Sequence, residues 1–416
     1  MRKMFKNYPH SHDITIIDNN ESLIKLLPGN LFSRRSDRMK RLLCVILSLT
    51  SLTKIFQLSD GTPVLPQPLI FSGLSLDWPC QSTKNIYETS GRYIARNVIA
   101  TRAQIFEDKA ILALPRYKPG VPFTLGILDL KSQNNCEPKV APFPCWAIQE
   151  EGNCQALQSA VDIVLDVQDI LWVLDVGIVN TLEQPVRRCP PKVVGVNAKT
   201  GKVNFVVKVI DLSSLADINS RLQYMAVDYA EDGQVYVYIS DAGSGAIIVY
   251  NVTTDTGYRV VLPAAVAGCT DKPDALYIAL VRRESCGPVL YFTFLGSNRM
   301  FAIKAVNLRS GNANGSIVDI GGKKNKIVLL GTDNAATIFF RIKGDSSIYM
   351  WNTDTSFVQD NFLLVQKAGD CRLPTEVIPG YNDLMWVIES NFQDYIDNNV
   401  SCSGTSVAVH PLMNSS

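Results

Sequence analysis

The sequence predicts an all-β fold, specifically a six-bladed β-propeller. Short apolar, β-branched and aromatic runs alternate with Gly, Asn and Asp turns along most of the chain. No window of about 15 residues holds a clean helical period. Six strongly apolar runs recur with starts roughly 45–65 residues apart, the spacing of propeller blades that carry insertions.

The six runs are Ala110–Leu114, Leu171–Leu174, Val235–Ile239, Val289–Phe294, Thr337–Phe340 and Leu384–Ile388. One run per blade gives six four-stranded blades, with the innermost strands lining a central channel. The clearest hairpin is Lys192–Lys208, turning around Ala198–Gly201. A second joins Gln234–Ser240 to Ala246–Asn251 through Asp241–Gly245, and a third turn follows at Thr253–Gly257. Roughly 300 residues of such hairpins exceed a single β-sandwich.

Composition narrows the function. Of 416 residues, 46% are hydrophobic, which is enough for a sizeable core, and 40 Lys and Arg balance 39 Asp and Glu. A nucleic-acid binder would need a basic face to neutralise phosphates, and none is legible. The three histidines are His10, His12 and His410, so the body of the chain has no histidine base for a Ser-His or Cys-His nucleophile and no HExxH zinc site. Catalysis, if any, must run on a carboxylate of raised pKa, a Tyr or a Lys.

The N-terminal region reads as an address. Met39-Lys40-Arg41 precedes the apolar run Leu42–Leu52, the layout of a secretory signal and too short for a comfortable membrane span of about 20 residues. Met39 is the expected start, with residues 1–38 a polar extension from the gene model; an internal signal anchor is the alternative. The expected organisation is a signal peptide over 39–59, a linker over 60–90, the propeller over 91–400 and a tail over 401–416. The expected location is extracellular, off the membrane once the signal is cleaved.

Nine cysteines remain outside the signal, with no CxxC pair, which favours disulfides over a zinc ribbon. Proximity suggests Cys145–Cys154, Cys269–Cys286 and Cys371–Cys402, leaving Cys80, Cys136 and Cys189 for one more bridge and one odd thiol. Glycosylation sequons stand at Asn251, Asn314 and Asn399, with another at the terminal Asn414.

An ordered set of short motifs then stands out. It runs Trp78-Pro79, Gly91-x-Tyr93-Ile94, Asn97, Pro115-Arg116 and Gly120-Val121-Pro122-x-Thr124-Leu125. It continues with Leu171-Trp172-Val173-Leu174-Asp175-x-Gly177, Cys189-Pro190-Pro191-Lys192, and Leu290-Tyr291-Phe292 with Ser297-Asn298. Trp351-Asn352 and Leu384-x-Trp386-Val387 complete it. Over roughly residues 76–400 the chain resembles the Yellow / major royal jelly protein family. The segments Ala141–Cys154 and Gly177–Gln184 look most like the Yellow-g subgroup. One departure concerns a bridge: Gln168 and Ile170 stand where many members carry Cys and Arg, and Cys145 offers Cys154 a substitute partner.

The resemblance implies a secreted propeller of cuticle or eggshell hardening and pigmentation, with the Yellow-g type pointing to eggshell. It also implies dopachrome conversion or the binding of small biogenic amines as alternatives. An amine needs a carboxylate for its ammonium and an aromatic face for its ring. Thr375, Asn391 and Phe392 lie near positions that similar amine binders use, and Glu389 could add charge. A plainer reading makes them polar residues at a hairpin end. Asp175 closes a buried strand at an expected channel mouth, or caps the turn at Gly177. Asp175, Asp241, Asn298, Asn352 and Glu389 together would suit a hard cation in a lactonase-like site. Arg116 reads chiefly as a tie between blades. The leading expectation is a matrix protein without catalytic residues, metal or cofactor, whose partners are a catecholamine or other biogenic amine and extracellular matrix proteins.

Overall fold

The structure is a computed structural model. It describes residues 67–412 except 132–137, 200–204, 268–273, 284–286, 312, 314, 370–371 and 401–403. Six four-stranded antiparallel sheets follow one another around an axis. Blade 1 is Arg102–Phe106, Lys109–Ala113, Leu125–Asp129 and Ala141–Pro142. Blade 2 is Ala160–Leu165, Ile170–Asp175, Lys192–Asn197 and Val206–Asp211. Blade 3 is Leu222–Tyr229, Val235–Asp241, Ala246–Asn251 and Thr256–Val261. Blade 4 is Leu276–Arg283, Gly287–Phe294, Arg299–Lys304 and Val318–Gly322. Blade 5 is Ile327–Thr332, Thr337–Ile342, Ile348–Asn352 and Phe362–Gln366.

Blade 6 is built from both ends of the described chain. Its strands run Leu373–Pro379, Met385–Ser390 and Val407–Pro411, and the outermost is the early segment Leu69–Phe71. Leu69 faces Val409 and Phe71 faces Val407 in an antiparallel register. The expected linker over 60–90 and tail over 401–416 are therefore corrected, since each contributes a strand to this blade. Three residues of Leu-Ile-Phe, or five that include His410 and Pro411, are too short to show a period on their own.

The six apolar runs seen in the sequence are the second strands of the six blades, not the innermost ones. Each second strand is covered on both faces by neighbouring blades, so it reads as continuously apolar. Blade 2 illustrates this with the period of two that strands impose. Leu171 and Val173 pack with Ile111 and Leu125 of blade 1. Trp172 and Leu174 pack the other way, with Val237 and Ile239 of blade 3. The outermost strands are partly bare, with Val206, Val207 and Val209 exposed on blade 2. The innermost strands touch in a closed ring, blade 1 to 2, 3, 4, 5, 6 and back to 1.

One helix of nine residues, Gln81–Thr89, precedes blade 1 and has no fully buried residue. A small hairpin, Ile178–Val179 with Val186–Arg187, rises from the middle of blade 2. Gly177 begins it with φ of 67°, and a Cβ there would lie 2.1 Å from the Cys189 carbonyl oxygen, so only glycine fits. Cys189, at the hairpin's return, is bonded to Cys154, with the two Cα atoms 5.4 Å apart. This corrects the expected Cys145–Cys154 pair. The turn Trp146–Gln149 carries the chain away from Cys145 and delivers Cys154 to the hairpin base, where Lys192 donates to the Cys154 carbonyl at 3.2 Å. Cys145 is unpaired. Cys269, Cys286, Cys371 and Cys402 lie outside the described residues, as does Asn314. Asn399 is exposed. Asn251 is buried, its amide donating to Gln234 and to the Tyr236 hydroxyl. Among the described residues no helix is long and apolar enough to cross a membrane.

Candidate functional site

The innermost strands hold ionisable residues where an apolar face would be expected. Arg102 on blade 1 lies with its Nε 3.4 Å from the Asp162 carboxylate on blade 2. Its Nη1 donates to the Thr375 carbonyl on blade 6 at 2.8 Å. The guanidinium also sits 4.7 Å from the ring centroid of Tyr224 on blade 3, a cation–π distance. Tyr224 in turn stacks on Tyr277 of blade 4, with centroids 4.9 Å apart. Glu376, beside Thr375, accepts from the Ala103 backbone N–H at 2.6 Å and from the Gln104 amide at 3.4 Å. Asp162 accepts from the Met225 backbone N–H at 2.6 Å. Arg341 of blade 5 donates to the Pro374 carbonyl at 2.8 Å. All six blades thus contribute to one polar cluster at the axis.

Burial sets the proton affinities. Glu376 and Asp162 are 6% and 5% exposed. Loss of solvation pushes Glu376 up to about 8, against the pull of Arg102 and with a further push from Asp162. The same cause lifts Asp162 to about 6, moderated by Arg102 and by the Met225 hydrogen bond. Burial opposes the charge on Arg102, but Asp162 and Glu376 outweigh it and hold the guanidinium charged. Burial also raises the phenols of Tyr224 and Tyr277.

The residues singled out from sequence are scattered around this cluster. Thr375 touches it through its carbonyl, while its hydroxyl donates to Ile388 at 3.3 Å. Phe392 approaches through Tyr117, 5.8 Å away, and Tyr117 feels the charges of Arg102 and Asp162. Asn391 turns aside and accepts from the Ser406 backbone N–H at 2.9 Å. Glu389 faces away from the axis, held by Gln366 at 3.0 Å and by His410 at 3.5 Å. Asp175 is buried in blade 2, where it accepts from the backbone N–H groups of Gln158, Ser159 and Gly177 and pairs with Lys192 at 3.1 Å. Asp241 grips the same place in blade 3, accepting from the Arg221 N–H at 2.8 Å. Each aspartate pins the entry of the first strand of its own blade. The alternative of a cation ring finds no support in these positions, since Asp175, Asp241 and Glu389 are each held by separate partners. Among the described residues no group of three or more His, Cys, Asp or Glu is placed to hold a metal ion. Arg116 ties blade 1 to the approach of blade 2, donating to the carbonyls of Val121, Pro122, Gln149, Leu157 and Gln158.

A cavity of about 450 Å³ opens off the axis, walled by Tyr87, Arg92, Trp146, Glu150 and Arg188. Its Arg116 is committed to backbone carbonyls and its Arg188 pairs with Glu151 at 2.9 Å. Charge and proton-transfer capacity concentrate instead at the axis.

With this geometry in hand, the relationship to known proteins is informative. The family model for major royal jelly protein matches residues 158–413. The chain belongs to the major royal jelly protein family. It is 24% identical to major royal jelly protein 8 of Apis mellifera, over 62% of this chain and 66% of that protein. It is 26% identical to dopaminechrome tautomerase of Drosophila melanogaster, over 41% of this chain and 37% of that protein. It is 25% identical to protein yellow of Drosophila erecta, over 45% of this chain and 34% of that one. The matched part thus spans just under two thirds of the royal jelly protein and about a third of each of the other two.

Sequence reasoning passed over Arg102, Asp162 and Glu376. The signal that could have found them is a charged residue inside a strand that otherwise reads apolar, as in Ala-Val-Asp162-Ile-Val-Leu and Pro-Thr-Glu376-Val-Ile.

Proposed function

We propose that the protein converts a small catechol-derived aminochrome by proton transfer at the axial cluster. The observation that carries this reading is a buried guanidinium paired with the buried Asp162 carboxylate at 3.4 Å, with a second buried carboxyl, Glu376, held on the adjoining blade by the Ala103 N–H. Near neutral pH Glu376 keeps its proton and Asp162 has lost its own, so the pair supplies an acid and a base without histidine. Tautomerisation asks for both. A proton leaves a ring carbon beside the conjugated iminium, a proton arrives at a quinone oxygen, and no outside electron acceptor is needed. Asp162 takes the carbon-bound proton and Glu376 gives its own to the oxygen. Arg102 stabilises the charge that builds on that oxygen. Exchange with solvent returns the proton from Asp162 to Glu376. The likeness to dopaminechrome tautomerase supports this class of reaction.

The setting proposed is extracellular, with the chain secreted and acting in the hardening and pigmentation of insect eggshell (chorion or vitelline membrane) or cuticle. The test is loss of aminochrome absorbance with purified protein. Turnover should exceed that of a boiled control, and Glu376→Gln should lower the rate by about 10²–10⁴-fold. Equal traces from wild type, variant and boiled control would overturn the proposal.

A non-catalytic role, as a matrix component or a binder of biogenic amines, is the second reading. The enclosure of the cluster favours it, since each carboxylate already accepts a backbone N–H. Saturable micromolar calorimetric binding of dopamine or serotonin without turnover would select it.

A further inference from the structure

We infer that Cys80 and Cys145 form a second disulfide in the chain under oxidising conditions. Both thiols are unpaired in the structure. The segments leading to them run side by side and parallel. Leu76 is bridged to Val140, Val140 donates to the Ser75 carbonyl, and Asp77 donates to the Val140 carbonyl, both at 2.8 Å. Cys80 lies four residues past that bridge on one segment and Cys145 five residues past it on the other.

Ring contacts keep the two segments together beyond the bridge. Trp78, two residues before Cys80, lies 5.5 Å from Trp146, which follows Cys145. Tyr87, on the helix that Cys80 begins, lies 5.8 Å from the same ring. The two cysteines also share one local setting, each an extended residue that starts a helical turn, at φ −164° and −163°. Helix Gln81–Thr89 has no fully buried residue and no side-chain cap, and is held by these rings and by the Tyr93 N–H, which donates to the Tyr87 carbonyl at 2.9 Å. A bridge would fix the helix, and with it the Tyr87–Trp146 wall of the off-axis cavity.

Cys80 is suited to begin the reaction. It is exposed, its Sγ lies 3.3 Å from the Thr83 hydroxyl, and hydrogen bonds from Thr83 lower its thiol below the ordinary value. Its thiolate attacks one sulfur of an oxidant disulfide, either a protein oxidoreductase or oxidised glutathione, and expels one thiol. Cys145 then attacks Cys80 Sγ in the mixed disulfide and expels the second thiol. Two protons leave the cysteines, and the two electrons reside in the reduced oxidant.

The test uses the full chain equilibrated with oxidised glutathione, alkylated, digested without reduction and read by mass spectrometry. A peptide joining Cys80 to Cys145, split by reductant, is expected beside the Cys154–Cys189 peptide. In addition, tryptic cleavage after Lys84 should speed up equally in Cys80→Ser and Cys145→Ser, and no further in the double variant. Alkylation of both thiols while Cys154–Cys189 stays intact would overturn the inference. So would a link from either cysteine to Cys136.

Discussion

Glu376 and Asp162 are carboxyls that the fold has taken out of water, and their chemistry follows from that. Both have higher proton affinity in the folded chain than in the unfolded one. Each therefore contributes stability that is fully present below its unfolded value and is lost as pH rises through its folded value. For Glu376 the window runs from 4.5 to about 8, and for Asp162 from 3.8 to about 6. Melting temperature should fall as pH rises across these windows, and Glu376→Gln should flatten the fall, as fluorimetry at stepped pH would show. A profile identical in wild type and variant would place the Glu376 carboxyl in water. Arg102 is the hub. Arg102→Leu leaves the buried Asp162 carboxylate without its ion partner and should cost about 3–5 kcal/mol in a denaturant titration. The sequence does not disclose this hub, because only the meeting of blades distant in the chain makes these three residues neighbours. Thr375 lies one position from the key carboxyl, at an irregularity between Pro374 and Glu376 that breaks the strand's alternation and so hides which residue faces the cluster. Glu389 stands out as readily in sequence, but its strand directs it towards Gln366 and His410.

The second strands were the most legible elements, because burial on two faces leaves an unbroken apolar run. Trp172 is one such residue, packed toward blade 3 and donating its indole N–H to Asp166 at 2.8 Å. Trp172→Ala should lose about 3–5 kcal/mol, measured by chemical denaturation. Elements defined by partners rather than pattern were hidden. The hairpin of blade 2 has only two residues per strand, and its bond from Cys189 reaches across to Cys154 rather than to a sequence neighbour. Cys189→Ser should cost about 2–4 kcal/mol, and reductant should lower the wild-type melt toward that of the variant. Disulfide pairing illustrates the limit of sequence reading. Proximity favoured Cys145 for Cys154, but the path of the intervening turn decides the partner.

At the scale of the molecule, closure depends on a strand of three residues. Leu69–Phe71 completes blade 6 by pairing with Val407–Pro411, so residues far apart in the chain lock the ring. Phe71→Asp places a charge in the shared core of blades 6 and 1. Proteolysis near residue 69 should then rise before the rest of the propeller opens. The blade count was readable from the spacing of apolar runs, whereas the closing strand was not, because no period fits in three residues. Ring closure also creates the site, since Arg102 of blade 1 reaches the Thr375 carbonyl of blade 6 only when the circle is complete. The most direct measurement is the pH dependence of kcat/KM for aminochrome conversion by the purified chain. The account predicts a bell, rising as Asp162 ionises near pH 6 and falling as Glu376 loses its proton near pH 8. A rate above the boiled control that does not vary across that range would contradict it.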